Sequence, residues 1–548
     1  MTQPSFNLID EPFLAVTRTD GTQATVSLAE AFGATSEIRA IAGDSPTQNY
    51  ALLRLLLATY WSAHRADAEL GDPSDPDRFT KWWGAEADRV DSGKADKACL
   101  EYLERHQRRF DLFGKSPFMQ VADLRTSKDS RFGVRRLLPE AESDYFAQRA
   151  ASGLDKLSFA EAARWLVTVQ SYDASGIKSG AVGDPRVKGG KGFPIGTGWT
   201  GMTGGTVIHG ATLAETLLLN TAAPSVFGST NQLDMPVWER EPDTAAPRQH
   251  AQPAGPRDLL TWQSRRVRLF AEGDAVVAVL VSNGDQIPDA GANIRLDPMT
   301  PYRYSTNKSK KSVPVYYPRP HDTDRTVWKS LEPLLMRESL LGTLEKPEHA
   351  PVQPATIDFL GALKEIDFIE RARAFDLELT SVAYGAQSAT VADTVHARLG
   401  LPLVAFQDDN AAVARTMILA SKSTQNAAVA LGRYAGQLLQ AAGGEYKFQS
   451  SPTDELLNEL EPQFVTWLAE VQPQTTDNAL ELWSSHVRRS VNDLATSLLK
   501  TAGPKALIGR QVDDKNIVSA GTAYRSLHRQ LDKILPTAAR KQEPANDK

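Results

Sequence analysis

Four helical stretches follow one another in the last quarter of the chain, and they restrict this region to a bundle of helices. Prolines or a Gly-Pro pair separate the stretches, which cover residues 411–444, 454–471, 477–500 and 523–535. In the last stretch apolar residues recur every three or four positions and so share one helix face. Such a face must be buried against neighbouring helices. We therefore predict a four-helix bundle over residues 406–536 and a disordered tail over residues 537–548.

The residues before the bundle mix short strand patterns with helix patterns. Near the N-terminus, apolar and polar residues alternate on both sides of an Asp20-Gly21 turn signal, which is typical of a β-hairpin. Ser158 and Glu161 have the spacing of a capping box, which predicts that a helix begins after Ser158. The chain is thus predicted to be an α+β protein, with a large mixed α/β domain of short strands and helices over residues 1–405.

The composition is that of an ordinary globular protein, with 41% hydrophobic and 23% charged residues. The formal net charge of −6 means that any contact with nucleic acid must be local. The longest apolar run, residues 51–60, is interrupted by Arg54 and is shorter than the roughly 20 residues of a membrane helix. No secretory signal pattern opens the chain. We expect a cytoplasmic protein that contacts no membrane.

The sequence offers little for metal or acid–base chemistry. Cys99 is the one cysteine of the chain, which excludes intramolecular disulfides and cysteine-rich zinc sites. It lies in a helical pattern, where a buried small residue is more typical than a nucleophile. The His321-Asp322 pair is found in metal phosphohydrolases, but here no matching second histidine and acid accompany it. We predict no catalytic residue, no metal and no cofactor, and keep as an alternative a metal-dependent phosphohydrolase or nuclease that uses His321 and Asp322.

Residues 176–210 contain 12 of the chain's 37 glycines. Within them, residues 196–201 satisfy G-x-G-x-x-G, but a dinucleotide site also needs a strand before this phrase and a helix after it. Neither is predicted, because Pro194 precedes the phrase and glycines and β-branched residues follow it. Glycine is costly to order, so this segment is either a flexible surface loop or a loop whose backbone approaches a ligand. Neighbouring lysines favour a phosphate backbone as that ligand.

Two basic stretches and one turn complete the candidate features. The basic stretches are residues 125–136 and 303–311, and each by itself is typical of a solvated loop. Together with the glycine-rich segment they favour a nucleic-acid surface. The Tyr384-Gly385-Ala386-Gln387 turn joins two strand patterns and carries an amide side chain at its tip; by default it is an ordinary turn.

Several phrases occur along the chain in an order that resembles one known family. These phrases are FNLIDEPFLAV at the start, KSPFMQV at 115–121, GMTGGTVIHGATLAETLLLN at 201–220, YGAQSAT at 384–390 and the helical C-terminal quarter. Their order is similar to that of the CasA family, the large subunits of the type I-E CRISPR surveillance complex Cascade. The similarity covers essentially the whole chain.

The resemblance implies a DNA-binding protein without enzymatic activity that takes part in antiviral defence. It implies a ribonucleoprotein complex in which the chain binds the other Cascade subunits and the guide RNA. The chain would recognise the protospacer-adjacent motif (PAM) in double-stranded target DNA, start strand separation and help recruit the CRISPR helicase-nuclease. A scaffold that only braces the complex is a further alternative.

The resemblance also implies roles for individual residues. The glycine loop of the family, which enters the minor groove, is matched by Gly201, Met202, Thr203, Gly204 and Gly205. Only a chain without side chains comes that close to the base edges.

The wedge of the family, a hairpin tip that is pushed into the base stack, is matched by Gln387 with its neighbour Ala386. Many relatives have Asn where this chain has Ala386, so an amide contact at that position is not expected. Phe146 lies in a stretch that corresponds to a long loop near the guide RNA. Arg303 is the first candidate, and Lys308 the second, for the cation that grips the PAM duplex.

Overall fold

A computed structural model describes residues 4–536, apart from 35, 68–69, 139–154, 250, 311–312, 345, 364–365, 367–368, 370–373 and 514–515. Helices and sheets are mixed, which confirms the α+β class. The chain divides into two compact units. One comprises Met1–Asp324 with Leu344–Arg398, and the other comprises Arg325–Thr343 with Leu399–Lys548. Phe146 and the predicted disordered tail lie outside the described residues.

The strands are short, apart from two long pairs of neighbours. They are β1 Leu14–Arg18, β2 Gln23–Val26, β3 Ile38–Ile41, β4 Leu157–Ser158, β5 Lys178–Ser179, β6 Lys191–Gly192, β7 Gly205–His209, β8 Arg265–Glu272, β9 Ala275–Asn283, β10 Tyr302–Tyr304, β11 Tyr316–Pro318, β12 Ala374–Tyr384, β13 Val391–Pro402, β14 Arg510–Asp513 and β15 Asn516–Val518.

The α-helices vary in length from 5 to 31 residues. They are α1 Leu28–Gly33, α2 Pro46–His64, α3 Arg78–Asp91, α4 Lys97–His106, α5 Phe159–Tyr172, α6 Trp199–Thr203, α7 Leu213–Leu219, α8 Ala223–Phe227, α9 Pro256–Leu260, α10 Thr326–Leu335, α11 Ala355–Ala362, α12 Ala411–Ala441, α13 Ser451–Glu470, α14 Thr476–Thr501, α15 Gly503–Ile508 and α16 Ala520–Ile534. No helix in the described part of the chain is both long and apolar enough to cross a bilayer.

Helix α2 forms the centre of the larger unit, and almost all of its residues are buried. Arg54, which interrupts its apolar sequence, is buried as well, and its Nη1 lies 2.6 Å from Oδ2 of Asp297. A buried guanidinium is tolerated only with such a partner. Helices α4, α5, α7 and α9 and strand β12 pack against α2.

Three strands in the order β13–β12–β7 form the sheet that carries most of the candidate site. Strand β7 pairs antiparallel with β12, and the register joins Gly205 to Thr380 and His209 to Asp376. The β12–β13 connection is the hairpin whose turn the sequence indicated. The predicted N-terminal hairpin is present too, as β1 and β2 in antiparallel register.

The smaller unit is built on α12, which contacts α13, α14, α15 and α16 within the unit. The buried face of the last helix includes Ala523, Leu527 and Leu531, in agreement with the apolar spacing of the sequence. Helix α10 also packs on α12, and the Ser421 hydroxyl of α12 donates to the Trp328 carbonyl of α10. The Trp328 ring stacks on Phe464, with the ring centroids 4.3 Å apart.

Candidate nucleic-acid interface

The residues matched to the glycine loop form a buried junction between α6 and β7. Thr203 has no exposed surface, and Gly201, Gly204 and Gly205 are buried as well, while Met202 is half-buried. The Gly204 N–H donates to the Thr200 carbonyl at 2.7 Å. These five residues do not form a flexible surface loop, because four of them are buried and all but Gly204 belong to α6 or β7.

Close packing explains why this junction needs glycine. A Cβ atom at Gly205 would overlap with the Tyr50 hydroxyl, and one at Gly204 would overlap with the Ser381 side chain. Gly204 also has a φ of 64°, in the left-handed region that favours glycine. A Cβ at Gly201 would meet Tyr384. These glycines therefore serve internal packing in this structure.

The open glycines of the segment lie upstream, in the β5–β6 hairpin and just after it. Gly189, Gly190 and Gly196 have φ values of 58°, 73° and 92°, and nothing would lie within 4 Å of a Cβ atom at any of them. Lys188 and Lys191 are exposed beside them. The sequence reasoning missed this placement, although the phrase GGKGF at 189–193 carried the signal.

The β5–β6 hairpin presents an apolar pair as well as its lysines. Ile177 and Phe193 are 56% and 52% exposed. Ile177 directly precedes β5 and Phe193 directly follows β6, so both lie next to the Lys178–Gly192 pair at one end of the hairpin. An exposed aromatic ring next to lysines is a combination that suits the stacking of a base beside its phosphate.

Buried polar contacts fix the base of this hairpin. Lys178 and Asp173 form a buried ion pair at 2.7 Å, and Arg265 also binds the Asp173 carboxylate. The Asn283 amide donates to the Phe193 carbonyl at 2.6 Å. The exposed residues are thus carried on a backbone that the larger unit holds in place.

Gln387 and Ala386 are exposed at the tip of the β12–β13 hairpin. Gln387 has a φ of 56°, an unusual backbone for a residue with a side chain. The turn is closed by the Gly385 N–H, which donates to the Thr390 carbonyl at 2.9 Å. Below the tip, the Tyr384 hydroxyl donates to the Tyr172 carbonyl at 2.8 Å. The amide side chain therefore projects from a braced turn.

Arg303 and Lys308 are exposed in and after β10, which pairs with β11. The Arg303 guanidinium lies 5.5 Å from the centre of the Tyr317 ring, which is a cation–π distance. No ion pair holds either cation among the residues that the structure describes.

The structure connects the glycine junction directly to the wedge hairpin and places the segment that leads to Arg303 beside them. Strand pairing of β7 with β12 connects the buried glycine junction to the wedge hairpin. The Thr206 N–H donates to the Met299 carbonyl at 3.0 Å, so the segment that leads to Arg303 lies beside β7.

His321 is buried and belongs to this packing. Its Nε2 lies 3.2 Å from the Thr206 hydroxyl, and its backbone N–H donates to the Ser381 hydroxyl at 2.9 Å. Burial lowers the pKa of His321 to about 4, so the imidazole is neutral at physiological pH. These contacts favour a packing role for His321 over the hydrolytic role considered from the sequence.

In the described part of the chain, one group of side chains has metal-ligand spacing, namely His64, Asp96 and Cys99. His64 Nε2 lies 3.0 Å from Asp96 Oδ2, and Arg89 Nη2 lies 3.2 Å from the same oxygen. Burial raises the pKa of the Cys99 thiol, which therefore stays protonated. Arg89 already binds the Asp96 carboxylate, and the Cys99 thiol keeps its proton. We therefore interpret this group as an ion-pair cluster between α2 and α4 and not as a metal site.

Comparisons with known proteins agree with this architecture. A family model described as CRISPR-associated protein Cse1 matches residues 7–494. The crystal structure of Thermobifida fusca Cse1 has a TM-score of 0.82 and 37% identity, and the match covers 97% of this chain and 98% of that one. The Cse1 structure from Acidimicrobium ferrooxidans has a TM-score of 0.76 and 27% identity, and the match covers 98% of this chain and 100% of that one.

The same fold occurs in one chain of a structure described as a CRISPR RNA-guided surveillance complex. That match has a TM-score of 0.72 and 17% identity, and it covers 97% of this chain and 100% of that one. A comparison with curated protein sequences returned no match. The family model spans most of the chain, and the Thermobifida fusca protein is similar over nearly all of the chain. The chain therefore belongs to the Cse1 family of CRISPR-associated proteins, also called CasA.

Proposed function

We propose that this chain is the PAM-sensing large subunit of a type I-E Cascade complex. It binds double-stranded target DNA, recognises the PAM and starts strand separation beside it. Its partners are the other Cascade subunits and the guide RNA, and it helps to recruit the helicase-nuclease that acts on the target. Its work is binding in the cytoplasm, without catalysis and without a cofactor. Membership of the Cse1 family supports this assignment.

The observation that carries the proposal is the exposed amide of Gln387 on a braced hairpin tip. A wedge must keep its position while it unstacks bases, which costs a few kcal/mol per step. Two features supply that stiffness: the Gly385–Thr390 hydrogen bond in the turn and the Tyr384–Tyr172 hydrogen bond below it. Guide RNA pairing then recovers the cost of opening the duplex.

We further propose that the β5–β6 hairpin, rather than residues 201–205, is the part of the glycine-rich segment that faces the PAM duplex. Gly189, Gly190 and Gly196 leave room for close backbone approach, and Lys188 and Lys191 match the charge of the phosphates. The buried glycines Gly201, Gly204 and Gly205 act indirectly, since they seat the wedge strand β12 on β7. Arg303 remains our first candidate for an additional cation that binds the duplex, and Lys308 is the second candidate.

Replacing Lys188 and Lys191 together by glutamate tests this assignment. We expect Lys188→Glu/Lys191→Glu complexes to bind a PAM duplex more weakly in gel shifts, with a salt slope that is lower by about 2 because two phosphate contacts are lost. Lys81→Glu/Lys97→Glu is the matched control, since it makes the same charge change on the exposed faces of α3 and α4. Equal losses in both pairs would show that only net charge matters and would contradict the assignment.

A purely structural scaffold is the alternative that this experiment also addresses. A scaffold would leave PAM duplex affinity unchanged in both lysine pairs. The hydrolase alternative based on His321 and Asp322 receives no support from the buried, neutral imidazole of His321.

A further inference from the structure

The larger unit contains a cavity of about 210 Å³ that lies apart from the candidate DNA-facing tips. It is an open pocket that lies between one face of the β13–β12–β7 sheet and residues of β3, α2 and α7. Its position at the far end of the hairpin from Gln387 means that the wedge does not use it.

Part of the cavity wall is apolar and buried. Leu53 of α2, Val207 of β7 and Leu213 of α7 line it and are at most 5% exposed. Such walls favour a flat apolar body over a hydrated ion, because apolar surface gains free energy when it leaves water.

The mouth of the cavity carries two basic side chains. His396 and Arg398 are two residues apart on β13, so they point to the same face of the sheet. Their side chains are 45% and 48% exposed, in contrast to the buried walls. A ligand with an apolar body inside would therefore place its other end between an imidazole and a guanidinium.

The carboxylate inside the cavity is already satisfied by protein groups. Glu378 accepts hydrogen bonds from His209 Nε2 at 2.8 Å and from the Thr380 hydroxyl at 3.2 Å. It therefore does not need a cation from the ligand. The ring of His396 is 3.7 Å from Glu378, beyond hydrogen-bond distance.

Arg398 also has N–H groups that can donate to a ligand. Its Nη1 lies 2.9 Å from Asp376 and its Nη2 lies 3.5 Å from Glu378, but a guanidinium carries five N–H donors. Asn49, which lines the cavity, accepts from the Gly43 N–H through Oδ1, while its Nδ2 has no hydrogen-bond partner among the described residues. A carbonyl oxygen on the ligand's ring would match that amide.

From these groups we propose that the cavity binds one nucleotide unit, with its base between the apolar walls and its phosphate at His396 and Arg398. The base carbonyl accepts from Asn49, and the phosphate accepts charge-assisted hydrogen bonds at the mouth. The nucleotide comes either from solution or from the 5′-phosphorylated end of a strand. The assignment does not depend on the proposed PAM function.

Equilibrium dialysis of the full chain with dTMP tests this site, with thymidine and inorganic phosphate as partial ligands. We expect saturable dTMP binding, and affinities for both partial ligands that are weaker by about tenfold or more. Arg398→Gln should weaken dTMP binding about tenfold, and Ala40→Phe at the rim should abolish it by filling the cavity. Arg39→Gln, an exposed cation on the same strand as Ala40, is the control and should bind dTMP like the wild type.

A 5′-phosphorylated oligothymidylate and its unphosphorylated form separate the two sources. Binding of dTMP itself assigns a free nucleotide, while binding of the phosphorylated oligonucleotide alone assigns a strand end. The proposal is overturned if thymidine binds as tightly as dTMP, if Ala40→Phe binds normally, or if neither dTMP nor the phosphorylated oligonucleotide binds the folded chain. Equal binding of both oligonucleotides would point to a general nucleic-acid surface and would also overturn it.

Discussion

Gly205 has no room for a side chain, because a Cβ atom would overlap with the Tyr50 hydroxyl at the core of the larger unit. We expect Gly205→Ala to lower the free energy of unfolding by about 2 kcal/mol or more, as overpacking of a core does. Gly133→Ala is the matched control, since Gly133 has a φ of −59° and open space around it. Thermal unfolding of both variants checks this; equal midpoints would mean that the junction tolerates a methyl group.

Gln387 is the residue that we assign to strand opening. We expect Gln387→Ala to leave the fold intact and to weaken target opening, because the amide no longer enters the base stack. Ser388→Ala is the control, since Ser388 has nearly the same left-handed backbone, with φ of 55° against 56°. Fluorescence of 2-aminopurine beside the PAM measures opening in the assembled complex. Equal opening by the Gln387→Ala and wild-type complexes would remove the wedge role from this residue.

At the scale of elements, an ion-pair cluster joins α2 to the start of α4. Burial alone would lower the pKa of His64, but hydrogen bonds with Asp67 and Asp96 outweigh it and hold that pKa well above its usual value of 6.5. Burial would raise the pKa of Asp96, but the bond with His64 and the nearby charges lower it to about 2.

The sign of these shifts predicts how stability depends on pH. A histidine whose pKa is raised by folding stabilises the protein fully below about pH 6.5, and this contribution is lost as the pH rises through the folded pKa. We therefore expect the unfolding midpoint to fall between neutral and alkaline pH, and His64→Gln to flatten that fall. His486→Gln, at a partly exposed position of α14, is the control. An unchanged alkaline slope in His64→Gln would show that the cluster does not set it.

Elements whose signals are local were predictable from the sequence. The capping box of Ser158 and Glu161 is present at the start of α5, and the turn at Asp20-Gly21 joins β1 to β2. The burial of Gly204 and Gly205 was not predictable, because it depends on Ser381 and Tyr50, which lie far away in the sequence. Composition showed a glycine-rich segment but not which part of it faces solvent.

At the scale of the whole molecule, the sequence predicted the long C-terminal helices but not all that packs with them. Helix α10, far upstream, belongs to the smaller unit because Trp328 stacks on Phe464 and its carbonyl accepts from Ser421. Such pairing across about a hundred residues leaves no periodic signal. The cavity at Glu378, His396 and Arg398 was missed for the same reason, since its walls come from separate strands and helices.

The central claim, that this chain lets a guide-loaded complex sense the PAM, is tested most directly by a gel-shift titration. The complex is titrated with and without the chain on two duplexes that differ only in the bases flanking the target. We predict tight binding only when both the chain and one flank are present. Binding that ignores the chain, or that is equal on the two flanks, would contradict the account.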